Sequence, residues 1–197
     1  MKNIPGNYYK KHKSNNPIVK YLMNSFHSKL FYLIESVKPN NMLDVGCGEG
    51  YTVEEINNHF PEILIEGSDV ENEVIELARK NLDHISFKVE SACNLEREDK
   101  SFDLITMLEV LEHVEQPSDA VKEAKRVSKK FCIFSVPFEP YWRILNLLRL
   151  KYISDLGNTS GHINHWSKSG FEELLKDHFN IVKLQTVFPW NFAICSD

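Results

Sequence analysis

The chain has little of what would take it out of ordinary globular chemistry. Its four cysteines, Cys47, Cys93, Cys132 and Cys195, form no CxxC pair, which argues against both a zinc knuckle and a disulfide framework. Cys132 and Cys195 lie among apolar neighbours, as small buried hydrophobes do. Eight Gly and eight Pro in 197 residues are too few for a collagenous or low-complexity chain. Nowhere do enough uncharged apolar residues run together to cross a bilayer, and the opening MKNIPGNYYKKHKSNN lacks the apolar stretch of a secretory signal. A reducing, cytoplasmic setting is the expectation. Excess positive charge is also missing: 23 Lys and Arg stand against 28 Asp and Glu, a net −5, so no global basic field exists to gather a large nucleic acid. What is present, 42% hydrophobic and 11% aromatic residues, suffices for the core of one domain.

Residues 1–39 read as a polar tail, with Lys10, Lys11, His12 and Lys13, followed by a helix that Pro17 can start and Lys38 and Pro39 stop. From Met42 the pattern alternates: NMLDVGC, YTVEEINNHF, EILIEGSD, ENEVIELARKN, then ISFKVE and FDLITML, a helix over roughly 118–128, and FCIFSVP closed by Pro137. Short β-like runs alternating with amphipathic helices predict an α/β, Rossmann-like three-layer sandwich with a mostly parallel sheet. PYWRILNLLRLKY is expected to be helical, as is 168–178. Two last strands, 180–188 and 191–196, are joined through Pro189 as an antiparallel hairpin.

LDVGCGEGYTVEEI puts Gly46, Gly48 and Gly50 between the first strand and its helix. Ligands of open α/β sheets bind at that edge, where glycine permits sharp turns and close backbone approach and the helix start offers unpaired N–H groups. A dinucleotide GxGxxG would need glycine at 51, where Tyr51 stands; the spacing is GxGxG. Asp69 ends the second strand, placed to accept hydrogen bonds from both hydroxyls of a ribose.

With LDVGCGEG, the Asp69 strand end, SFDLITMLEVLEHV and the final hairpin, residues 40–197 resemble the class I S-adenosylmethionine-dependent methyltransferases. The resemblance implies a seven-stranded sheet of order 3-2-1-4-5-7-6 with the last strand antiparallel, a cap insertion at about 138–165, and S-adenosyl-L-methionine as cofactor. It implies cofactor contacts from Asp44, Gly46, Cys47, Gly48, Gly50, Asp69, Val70, Ala92, Cys93, Asn94, Leu108 and Glu109. The glycine loop would pass the methionine end, Asp44 would support the loop, and Asp69 would hold the ribose. One departure concerns the adenine, beside which the family commonly has Asp where this chain has Ser91. Backbone groups of Ala92 and the side chain of Asn94 are the substitutes. Cys93 is either part of the same pocket lining or plain filler.

Methyl transfer from a sulfonium is a direct displacement, for which the protein mainly aligns the reactants and excludes water. A hydroxyl acceptor also needs a base or a metal. Glu109, Glu112 and His113 follow the fourth strand at spacings that one helical turn would bring to a common face. Two readings stand side by side. In one, Glu109 and His113 orient or deprotonate the acceptor without metal, or merely pack. In the other, GHINHWSKSGF adds His162, and Glu109, Glu112, His113 and His162 match the metal set of the small-RNA 3′-terminal 2′-O-methyltransferases. Ubiquinone-pathway O-methyltransferases also resemble the chain in EVLEHV and in the insertion after the fifth strand. Two carboxylates and two imidazoles would suit Mg, Mn, Fe or Zn. His165 is read instead as pairing with a backbone carbonyl or stacking on Trp166.

The segment 140–152 is apolar around most of its helical circumference with basic residues interspersed. It is read as a packed cap, a lid over the acceptor, or at most a peripheral membrane contact. The leading expectation is O-methylation of a small or lipid-like hydroxyl acceptor. Metal-dependent RNA 2′-O-methylation is the alternative within enzymes, and a non-catalytic cofactor-binding scaffold the one from another class. A nicotinamide enzyme comes third. The oligomeric state is not legible.

Overall fold

A computed structural model describes residues 16–148, 152, 155–159 and 161–197. The basic tail therefore lies outside the described residues, as do positions 149–151 of the cap segment. Helix α1 (Pro17–Val37) begins where the Asn16 side chain accepts from the Ile18 N–H and Pro17 takes the first turn. It ends where Lys38 adopts a left-handed conformation and its N–H bonds the Ile34 carbonyl. There follow β1 (Asn41–Val45), α2 (Tyr51–His59), β2 (Leu64–Asp69), α3 (Asn72–Asn81), β3 (Ser86–Val89) and β4 (Phe102–Leu108). The chain continues with α4 (Pro117–Val127), β5 (Ser128–Pro137), α5 (Tyr141–Leu148), α6 (Lys168–Lys176), β6 (Asn180–Val187) and β7 (Trp190–Ser196).

The seven strands form one sheet of order β3-β2-β1-β4-β5-β7-β6, with β7 antiparallel to both neighbours. The Rossmann-like expectation holds, and element ends move by a few residues. β5 starts at Ser128 rather than Phe131, directly off α4, and α6 stops at Lys176. Apolar side chains of α1, α2 and α3 (Leu30, Ile34, Ile56, Ile75) fill one face of the sheet. Those of α4 and α6 (Val121, Ala124, Phe171, Leu175) fill the other. Burial on both faces explains why β1 and β4 read as nearly unbroken apolar runs. Cys132 and Cys195 are fully buried free thiols in this core, opposite one another across β5 and β7.

The topology gathers the chemistry at one edge. β1, β2 and β4 run parallel, so their carboxyl ends deliver the glycine turn, Asp69 and Glu109 to the same side. β7 runs the opposite way, and its first residue, Trp190, pairs with Pro137 at the end of β5. Trp190 therefore arrives at that edge too. No helix among the described residues is long and apolar enough to cross a membrane. On α5, Trp142 and Asn146 face inward, whereas Ile144 and Leu148 are exposed.

Candidate active site

A cavity of about 470 Å³ opens at this edge, within the range of small-molecule sites. Its floor is the turn after β1. Gly46 and Cys47 donate their N–H groups to the Ser68 carbonyl at 2.7 and 2.9 Å, and Gly46 sits at φ +76°. A Cβ on Gly46 would stand 2.4 Å from Cγ2 of Val110, whereas one on Gly48 would meet nothing within 4 Å. The first glycine thus lets two segments approach, and the second keeps the cavity open. Asp69 ties the loop from β2: its carboxylate accepts from the N–H of Gly48 and of Glu71, each at 3.0 Å. Each carboxylate oxygen has lone pairs beyond those bonds.

Asp44 is buried beneath the loop and accepts from the Thr106 hydroxyl at 2.6 Å. Burial, with the charge of Asp69 adding to it and the Thr106 bond opposing, pushes its carboxyl up to about 7. Of the residues expected at the cofactor, Asp44, Gly46, Cys47, Gly48, Asp69, Val70, Ala92, Leu108 and Glu109 line the cavity. Three others lie away from its lining. Gly50 caps the start of α2, Cys93 points its thiol at the Gln116 carbonyl, and Asn94 folds back on Ser91. Ser91 itself is on the wall.

The helical turn expected to join Glu109 to Glu112 and His113 does not form, because Glu109 has φ +60°, a left-handed conformation that breaks the helical spacing; Glu109 and His113 nonetheless line the same cavity. Its buried carboxylate accepts from Ser135 Oγ at 3.0 Å and from Trp190 Nε1 at 2.8 Å. Glu112, His113 and His162 do converge, with ligand atoms all within 4.8 Å of one another. The segment carrying His162 is laced to the other two: Ile163 and Asn164 donate to the Glu112 carbonyl, and the Asn164 amide donates to the carbonyls of Leu111 and Val114. His113 Nδ1 lies 2.9 Å from the Gly161 carbonyl. A carbonyl only accepts, so Nδ1 carries the proton and Nε2 is the acceptor nitrogen of the neutral ring. His113 reaches the cavity wall. His165 pairs with the side-chain amide oxygen of Asn158 at 2.8 Å, not with a backbone carbonyl.

Among the cavity residues that no motif announces are Met23 and Phe26 from α1 and Trp190. In sequence the first two are ordinary members of an apolar helical face. Phe26 meets Trp190 edge to face, with centroids 5.0 Å apart.

A sheet of this order, a glycine turn after β1 and an acidic end to β2 define a class I S-adenosylmethionine-dependent methyltransferase. Residues 18–184 match the family described as methyltransferase domain, and the chain belongs to that family. It is similar to a ubiquinone biosynthesis O-methyltransferase of Coxiella burnetii, 24% identical over 174 residues that cover 79% of this chain and 73% of the relative. Among solved structures it is similar in fold to magnesium protoporphyrin IX methyltransferase from Synechocystis with bound S-adenosylhomocysteine, with a TM-score of 0.70, 16% identity, and 96% of this chain and 92% of that one covered. The methyltransferase domain of bacterial CtHen1 also superposes at TM-score 0.70, with 19% identity over 89% of this chain and all of that one (100%). S-adenosylmethionine is the methyl donor of this enzyme.

Proposed function

We propose that the enzyme O-methylates a small or lipid-like hydroxyl acceptor. The observation that carries this reading is the composition of the cavity wall beyond the glycine turn, where apolar Met23, Phe26 and Trp190 share the lining with the polar His113 and Glu109. An apolar body would pack on the first three while its hydroxyl reached the last two. The donor supplies an electrophilic methyl group; the acceptor oxygen takes it, and the hydroxyl proton must leave. His113 Nε2, in the tautomer that Gly161 selects, accepts that proton, and Glu109, fixed from two sides, orients the hydroxyl. The relative's name, which includes O-methyltransferase, supports the oxygen acceptor.

A second reading adds a divalent metal, and the convergence of Glu112, His113 and His162 supports it. One carboxylate and two imidazoles are a fitting donor set for Mn, Fe or Zn, and less so for Mg, which prefers oxygen. Such an ion would lower the pKa of a bound hydroxyl. Glu109, bonded to Ser135 and Trp190, would stand beside the ion rather than ligate it. The resemblance of Glu112, His113 and His162 to the metal set of the small-RNA 3′-terminal 2′-O-methyltransferases keeps an RNA 2′-hydroxyl among the acceptors to be tried.

The test is S-adenosylhomocysteine release from S-adenosylmethionine with phenols, quinol precursors, sugars and RNA 3′ ends. One class of hydroxyl compound is expected to give turnover, and His113→Ala to lower it by about a hundredfold with S-adenosylhomocysteine affinity nearly intact. Turnover confined to amines, or equal activity in the two proteins, would overturn the reading.

A further inference from the structure

We infer that Trp190 is a positioning residue, which ties the orientation of the Glu109 carboxylate to the seating of α1 and of the cap helix α5. The inference rests on the acceptor-chamber reading above and adds to it a residue that acts through another.

Three observations meet at this indole. Its Nε1–H donates to Glu109 Oε2 at 2.8 Å, and both residues are buried. Its ring packs edge to face on Phe26 of α1, at 5.0 Å, and at 5.8 Å against Trp142 of α5. Trp142 is in turn held by a bond from its own Nε1 to Thr159 and stacks over His162 at 6.4 Å.

An indole N–H can only donate, and once buried it must find an acceptor. Here the acceptor is a carboxylate at the end of β4, in a backbone conformation that glutamate rarely adopts. The ring therefore cannot follow a displaced α1 or α5 without withdrawing a donor from a buried carboxyl group, and breaking such a buried bond is costly. With both helices seated, the carboxylate is held from two directions and its edge toward the cavity is fixed. A phenylalanine at 190 would supply the wall without the bond, so the wall and the bond can be separated by experiment.

The full chain, saturated with S-adenosylhomocysteine and labelled with 15N, gives one indole N–H resonance each for Trp142, Trp166 and Trp190. That of Trp190 is assigned by its loss in Trp190→Phe or, if that variant does not fold, by elimination with Trp142→Phe and Trp166→Phe. Its expected position is downfield of the other two, as for a charge-assisted bond. Glu109→Gln is expected to move it upfield, and Phe26→Leu, which removes the ring packed on the indole, to broaden it beyond the shift that the lost ring current alone produces. A Trp190 resonance indifferent to Glu109→Gln would overturn the bond, and one indifferent to Phe26→Leu would overturn the coupling.

The kinetic arm uses whichever acceptor turns over. Trp190→Phe should lower kcat about tenfold, 1.4 kcal/mol of transition-state stabilisation, with KM for S-adenosylmethionine unchanged. In a Glu109→Gln background the same substitution should add nothing. Independent, additive losses would reduce Trp190 to a wall and overturn the inference. If no hydroxyl acceptor turns over, the functional reading fails while the resonances still decide the role of Trp190.

Discussion

Gly46 and Val110 are packed so that a single added carbon on the first would lie 2.4 Å from a methyl of the second. The turn that faces the donor is thus braced by the segment that follows β4. Gly46→Ala would also force alanine into a left-handed conformation costing roughly 1–2 kcal/mol. S-adenosylhomocysteine affinity, measured by calorimetry, is expected to fall by about tenfold or more. Gly46→Ala combined with Val110→Ala should recover part of the loss, because the shorter side chain gives way. A double variant no better than the single one would mean that strain, not contact, governs the turn.

Asp44 carries a pH signature. Its carboxyl holds a proton to about 7 in the folded chain, against an ordinary value of 3.8. The folded state therefore binds the extra proton between those values, and the slope of stability with pH from this group is negative. Its contribution is fully present below about pH 4 and is lost as pH rises through 7. Asp44→Asn cannot ionise. Between pH 5 and pH 8 the unliganded variant should gain on the wild type by roughly 2 kcal/mol, read from urea unfolding at each pH. A gap that stays constant, or moves the other way, would contradict the protonated state.

Arg97 bridges two carboxylates. Nε reaches Glu90 at 2.9 Å and Nη1 reaches Glu66 at 2.7 Å, and the Glu90 side chain is fully buried while lining the cavity. Arg97→Met would leave Glu90 with the backbone N–H of Glu96 and the more distant Lys88 at 3.8 Å. The expected loss is about 3 kcal/mol, toward the low end for a broken buried pair because Lys88 remains. Urea unfolding measures it. A loss below about 1 kcal/mol would place the pair among surface ion pairs.

The Glu112, His113 and His162 cluster makes a discriminating prediction for Mn2+. Binding to the protein loaded with S-adenosylhomocysteine, followed by calorimetry, should vanish in His162→Ala and in Glu112→Gln yet survive in Glu109→Gln. Loss in Glu109→Gln would recruit that carboxylate as a ligand. Absent binding to the wild type would leave His113 to act without a metal.

Much of this arrangement is legible in the residues. A strand buried on both faces is an unbroken apolar run, so LDVGC and FDLITML announce themselves, and turns built on glycine and a strand-ending aspartate stand out by type. The pairing of Glu109 with Trp190 does not. The two are 81 residues apart in sequence, and neither spacing nor periodicity reports on a hydrogen bond across a sheet. The left-handed φ of Glu109 is equally silent, because glutamate at a strand end gives no sign of it, and helical spacing then predicts a turn from Glu109 to His113 that does not form. Met23 and Phe26 look like any apolar face of a helix until α1 is laid over the cavity.

β7 follows every other strand in the chain yet lies between β5 and β6 in the sheet. As the chain emerges from a ribosome, β5 must wait with one edge uncovered, and Phe26, made long before, has no Trp190 to meet. The wall that Trp190 completes therefore comes into being only after β7 has been made and fills the gap, and until then Phe26 of the helix laid over it lacks its ring partner.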